Sequence, residues 1–110
     1  MKKFPFFKQP DAKDCGPTCL RIIARHYHKS IPLQLIRTLS ETTREGSGLM
    51  GLSHAAERLG FRTLGVKIDF NMLVADAPLP CIVHWNKNHY VVVYKIDKAG
   101  QVYVSDPSFG

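Results

Sequence analysis

A thiol, an imidazole and a carboxylate suffice to cut an acyl bond by nucleophilic attack, and this sequence offers a place for each. Cys15 stands in Asp-Ala-Lys-Asp-Cys-Gly-Pro-Thr-Cys, residues 11–19. Gly16-Pro17 marks the first turn of a helix, where proline is well tolerated. Cys15 is therefore expected at a helix mouth, where unpaired N–H groups and the positive end of the dipole favour a thiolate. A cysteine nucleophile needs that help, because the thiol itself attacks poorly. Gly16 leaves room for a substrate to approach the backbone. Cys19 falls one turn on, on the apolar face with Leu20 and Ile23, and reads as a small core residue. Cys81 heads a run of Ile82 and Val83 and reads the same way.

A cysteine nucleophile also needs a base, and the base needs a group to orient it. His26 and His28 are expected at the end of the first helix, facing solvent, and His54 lies just off the apolar stripe of a later helix. His84 and His89 remain, flanking residues 85–88. His89 opens a strongly apolar strand, at the kind of element end where a side chain can leave the core; a structural histidine is also common there. Asp106 follows the return strand, in Ser105-Asp106-Pro107. If residues 90–96 and 102–104 pair as a hairpin turning near 98–99, His89 and Asp106 lie at the same open end, within reach of each other. Three other chemistries use the same residues: a module that binds without cutting, acyl transfer or amidase action at the same thiol, and a metal site from Cys15, Cys19 and His84 or His89. The Cys-x3-Cys spacing suits zinc poorly.

The elements that must position these groups follow from periodicity. Cys19, Leu20, Ile23, Ala24 and Tyr27 share one face of a first helix. A second helix is predicted from Pro32 to about Leu39, with Ser30 as a candidate cap. Residues 42–48 read as a loop. A third helix carries Leu49, Leu52, Ala56 and Leu59, and Gly60 suits its C-terminal cap. The period then changes to two: Leu64, Val66 and Ile68 alternate with Thr63, Gly65 and Lys67, the pattern of a half-buried strand. Residues 81–84 and 90–96 are two further strands, 97–100 a turn, and 102–104 the hairpin partner. Helices first and antiparallel strands after make the fold α+β, helices packed on an antiparallel sheet.

Composition sets the outer limits. The 110 residues, 45% hydrophobic and 22% charged, suit one domain spanning 1–110 with its own core. The longest apolar run, residues 90–94, is five residues, against about 20 needed to span a bilayer. The basic, proline-broken start lacks the apolar core of a signal peptide. Three cysteines, an odd number, then suggest free thiols in a reducing compartment. The net charge is +6, and residues 1–30 hold seven basic and two acidic side chains. No basic stripe interleaved with aromatics accompanies it, which argues against nucleic acid as a partner.

Taken together, Gln9…Asp-Cys15-Gly-Pro-Thr-Cys-Leu, His84-Trp…His89-Tyr-Val-Val-Val and Asp106-Pro-Ser resemble the C39 peptidases, papain-like N-terminal cytosolic domains of peptide-exporting ABC transporters. Arg44-Glu-Gly-Ser47 before the third helix and Leu59-Gly-Phe61 after it extend the likeness to residues 4–110. The resemblance implies a papain-like fold and a cysteine endopeptidase that cuts bacteriocin-like precursors after a Gly-Gly leader. It implies Cys15 as nucleophile, His89 as base and then acid, Asp106 as the group that orients the imidazole, and Gln9 as an oxyanion donor beside the Cys15 N–H. It implies no cofactor for the peptidase domain, ATP serving only a following ATPase. The partners implied are a leader-bearing precursor and the membrane and ATPase parts of a transporter, in cis or trans, at the cytoplasmic face of a bacterial membrane. Some relatives of this family only hold cargo, which is the alternative reading. Family domains also continue past Asp-Pro with a further strand, whereas this sequence has four residues after Asp106.

Overall fold

Helix formation begins with a carboxylate. Asp11 caps a 3-10 turn (Ala12–Asp14), its Oδ1 accepting from the Lys13 N–H at 3.3 Å, and the turn runs directly into α1 (Cys15–His26). In the computed structural model, which describes residues 3–85 and 89–109, α1 is followed by α2 (Leu33–Ser40), α3 (Leu49–Arg58), α4 (Phe70–Asp76), β1 (Cys81–Trp85), β2 (His89–Ile96) and β3 (Val102–Ser105). Apart from α4, these helices and strands match the sequence expectations to within a residue or two. The segment expected as a loop over 85–88 lies, from residue 86 on, outside the described residues.

The three strands form one antiparallel sheet in the order β1-β2-β3. Trp85 pairs with His89 and Cys81 with Val93, while Val92 pairs with Ser105 and Ile96 with Val102. The β2–β3 register shifts between Val93 and Lys95, and Tyr94, the extra residue of this bulge, stacks on Phe4 with ring centroids 4.2 Å apart. Asp97 builds the hairpin turn, its Oδ1 accepting from the N–H groups of Ala99 and Gln101 at 2.9 Å each.

The first turn of α1 is buried on every side, from Cys15 to Leu20. It lies between the sheet and α3: Cys15, Cys19, Leu52, Tyr90 and Val92 belong to one buried cluster. Gly16 permits this approach, since a Cβ there would lie 2.9 Å from Leu52 Cδ1. A second cluster, Leu20, Ile36, Ala55 and Ala56, fixes α2 and α3 against the other side of α1.

The α2–α3 crossing is closer still. A Cβ on Gly51 would stand 2.3 Å from the Ser40 carbonyl oxygen, which is backbone and cannot swing aside. Gly51→Ala is therefore expected to cost about 2–3 kcal/mol, a fall in Tm of roughly 10–20 °C. A thermal melt within about 2 °C of wild type would show that the helices part freely.

One expected element does not form. Residues 61–69 contain no strand, and Leu64, the first apolar residue of the alternating run, is 85% exposed. Alternation supplies a row of side chains, but a strand also needs a neighbour for its backbone donors and acceptors. None of the three described strands lies beside this segment. The helix that follows, α4, is capped by Asp69, whose Oδ1 accepts from the Met72 N–H at 2.9 Å. It buries none of its residues.

Candidate active site

Cys15 is the first residue of α1, and its side chain is almost fully covered, with 5% of the residue exposed. Cys19 lies behind it in the same buried cluster. Burial above all, and then the charges of Cys15 and Asp106, push the Cys19 thiol well above its ordinary range. Cys19 thus stays protonated and inert, as expected for a core residue. Burial likewise pushes Cys81 up. All three cysteines are unbridged.

His89 and Asp106 meet as the hairpin predicted. They are not directly opposed, because the register places Asp106 across from Val91, but they are diagonal neighbours at the open end of β2 and β3. The His89 Nε2 lies 2.8 Å from Asp106 Oδ1. With Nε2 engaged there, Nδ1 is the ring nitrogen left to exchange a proton with a thiol. The same Oδ1 accepts from the Ser108 N–H at 2.9 Å and the Ser108 hydroxyl at 2.8 Å. Burial alone would raise the Asp106 carboxyl. The two Ser108 bonds and the His89 contact outweigh it and hold the group below the ordinary carboxylate range.

That depression carries a sign for stability. A carboxyl whose folded value is lowered favours the fold above its unfolded value, and the gain disappears as pH falls through the folded one. Ser108→Ala removes one donor, so the Tm difference between wild type and variant is expected to be larger at neutral pH than at about pH 2.5. Equal differences at both would show that the Ser108 hydroxyl does nothing for the charge.

Gln9 is held on two sides. Its backbone N–H donates to the Pro107 carbonyl at 2.9 Å, and its side-chain Nε2 donates to the Asp11 carbonyl at 3.1 Å. The first bond ties it to the segment carrying Asp106, the second to the turn that leads into Cys15. One Nε2 hydrogen is thereby occupied, and the other has no acceptor among the described residues. Gln9 Oε1 is buried with no partner among the described residues.

Of the other histidines, His84 stacks on Tyr90 with ring centroids 4.3 Å apart, and His26, His28 and His54 are exposed. Among the described residues no three His, Cys, Asp or Glu gather as metal ligands, so the pattern of Cys15, Cys19 and His84 or His89 does not close into such a group. No described helix is long and apolar enough to cross a membrane.

The sequence reading missed two groups. Asp14, immediately before Cys15, is wholly buried, and Arg37 of α2 grips both of its oxygens, Nε to Oδ1 at 2.8 Å and Nη2 to Oδ2 at 2.6 Å. With Asp11 and Lys13 beside it in the sequence, Asp14 reads as one more charge of a polar turn, and only its burial demands a cation. Nothing in the spacing said that the cation stands 23 positions on.

Comparisons with known proteins identify the family and the fold. Residues 3–110 match the model of the Peptidase C39 family. The chain is 38% identical, over its whole length, to a lactococcin-G-processing and transport ATP-binding protein of Lactococcus lactis subsp. lactis, of which it covers 16%. It thus spans about a sixth of that relative. A double glycine motif protease from an AMS/PCAT transporter, solved in complex with its leader peptide, superposes with a TM-score of 0.92 at 31% identity, covering 98% of this chain and 76% of that one. The peptidase domain of Streptococcus ComA, a bi-functional ABC transporter of a quorum-sensing pathway, superposes with a TM-score of 0.86 at 34% identity, over 96% of this chain and 80% of that one. In sequence and in fold alike, this chain belongs to the Peptidase C39 family.

Proposed function

We propose that the chain is a cysteine endopeptidase that removes the leader from precursor peptides by cutting after a Gly-Gly pair, at the cytoplasmic side of an ABC exporter. The observation that carries this reading is the His89–Asp106 pair, joined at 2.8 Å at the end of the sheet against which the first turn of α1 packs with Cys15.

In this reading Cys15 Sγ gives its proton to His89 Nδ1 and attacks the scissile carbonyl carbon. The tetrahedral oxyanion accepts from the Cys15 N–H and from the second Nε2 hydrogen of Gln9, and each such donor is worth about 3–4 kcal/mol of barrier. Collapse breaks the C–N bond, and His89 passes its proton to the leaving amine. Water, deprotonated by His89, then hydrolyses the thioester and restores the thiol. Asp106 fixes the ring so that Nδ1 faces the reaction throughout. Apart from the precursor and water, these steps use only groups of this chain. The relatives support the rest: processing and transport in one, a double glycine motif and a leader peptide in the other.

Incubation of the reduced protein with a synthetic Gly-Gly precursor, read by mass spectrometry, tests this directly. A single cut after the second glycine is expected. Saturable binding without a cut would instead identify a module that only holds its cargo.

A further inference from the structure

Asp14 occupies the N-cap position of α1, yet its side chain makes no capping bond to the helix. An aspartate at that position ordinarily accepts from a free N–H of the first turn. Here both oxygens are turned to Arg37 instead, in a two-bond fork. The carboxylate is 0% exposed, whereas the Arg37 side chain is 27% exposed, and its Nη1 reaches Gln34 Oε1 at 3.1 Å. Capping therefore does not explain the negative charge, and one peptide unit separates it from the nucleophile.

We propose that Arg37 is a positioning residue for Cys15. It cancels the charge of Asp14 so that a thiolate can form beside it, and it holds the entry of α1 at a fixed place. The inference rests on the reading of Cys15 as nucleophile. A bare buried carboxylate would oppose a second negative charge at the next residue, since like charges close together in a water-poor site cannot both ionise freely. The guanidinium removes that opposition without itself reaching the substrate. Its helix is fixed in turn, because the Ser40 hydroxyl donates back to the carbonyls of Ile36 and Arg37, and Gly51 lets α3 close on the Ser40 backbone.

The elements packed on α1 bring further titratable and charged groups. Cys19 stands on α1 itself, and Asp11 and Lys13 flank Asp14 in the preceding turn. His89 and Tyr90 come from β2, Asp106 from beyond β3, and His84 from β1 through its stack on Tyr90. From α3 it is apolar Leu52 that packs here, and His54, Glu57 and Arg58 are exposed. These groups are common to all the variants below.

The test is the rate of Cys15 alkylation by iodoacetamide in the reduced chain. It is read on the tryptic peptide 14–21, with fragment ions separating Cys15 from Cys19. Arg37→Gln is expected to slow labelling about tenfold at pH near 6 and by less than about twofold at pH near 10, a change confined to the ionisation of the thiol. Asp14→Asn leaves a cation without its anion, so labelling at the lower pH should rise about threefold. The double variant, neutral at both positions, should return to within about twofold of wild type. kcat for a Gly-Gly precursor should follow the labelling, with KM unchanged.

A mere staple between α1 and α2 predicts otherwise: both single variants would lose activity together, at every pH, and the double variant would not recover. That result, or unchanged labelling in all three, overturns the proposal. Should Arg37→Gln fail to fold, Asp14→Asn still decides, because it leaves no charge buried without a partner; labelling no faster than wild type would end the idea. Failure of the underlying reading looks different, since Cys15→Ala would then still cleave.

Discussion

Cys15→Ala is expected to reduce cleavage of a Gly-Gly precursor to below about 10⁻³ of wild type in kcat/KM, leaving affinity for the leader within about twofold. The two halves of this expectation have separate physical grounds. Without sulfur no acyl-enzyme can form, and no other cysteine can substitute: Cys19 is held protonated by burial and by the charges of Cys15 and Asp106, and Cys81 heads β1. Binding should survive because the Cys15 side chain, with 5% of the residue exposed, contributes almost nothing to any surface that a leader could cover. Alanine is also the best helix former, so the start of α1 is kept. Competition by uncleaved precursor, or calorimetric titration, measures the second half. Loss of binding together with cleavage would mean that the leader docks over the thiol itself.

His89→Ala should lower kcat by about 10²–10⁴, the range for losing a general acid–base group. Combined with Cys15→Ala it should cost nothing more, because the two residues act as one unit. The strand should tolerate the change, since His89 pairs with Trp85 through the backbone and its side chain is partly exposed. Asp106→Asn is expected to be far milder, with measurable activity kept, because an asparagine serves this place in Cys-His-Asn sites. All three donors, His89 Nε2 and the Ser108 N–H and hydroxyl, converge on one oxygen, Oδ1. An amide oxygen in that place can accept every one of them. What is lost is the charge and not the orientation of the ring. Full inactivity of Asp106→Asn, equal to that of His89→Ala, would make the negative charge itself indispensable.

The parts of this fold that were legible in the sequence are those written into local chemistry. The apolar face of α1, the capping Gly60 and the hairpin around residues 97–100 all follow from spacing. From the hairpin alone came the meeting of His89 and Asp106, because antiparallel register converts positions in sequence into neighbours in space. Gln9 is a different case: only its resemblance to a family motif drew notice, since a glutamine in a proline-bounded lead-in has no periodicity to read. The alternation of Leu64, Val66 and Ile68 misled, because the pattern reports a side-chain row and is silent on whether a neighbouring strand exists. The Asp14–Arg37 fork was invisible for the opposite reason. Its partners come from the turn before α1 and from α2, which meet through the cluster of Leu20, Ile36, Ala55 and Ala56, a tertiary placement that no local pattern encodes.

The bonds from Gln9 N–H to the Pro107 carbonyl and from the Ser105 hydroxyl to the Pro5 carbonyl join positions about a hundred residues apart. Such long-range closure is slow compared with the formation of a helix. A chain emerging from the ribosome therefore holds Cys15 and the residues of α1 well before it holds His89, Asp106 and the bond that fixes Gln9, the groups proposed as base, orienting carboxylate and oxyanion donor. At about 5–20 residues per second the interval is on the order of 5–20 s. In the proposed reading the nascent chain cannot cut a peptide during that interval. The proposed activity would then begin only once β3 and the residues after it have docked on residues 5–9, so that cleavage reports their closure.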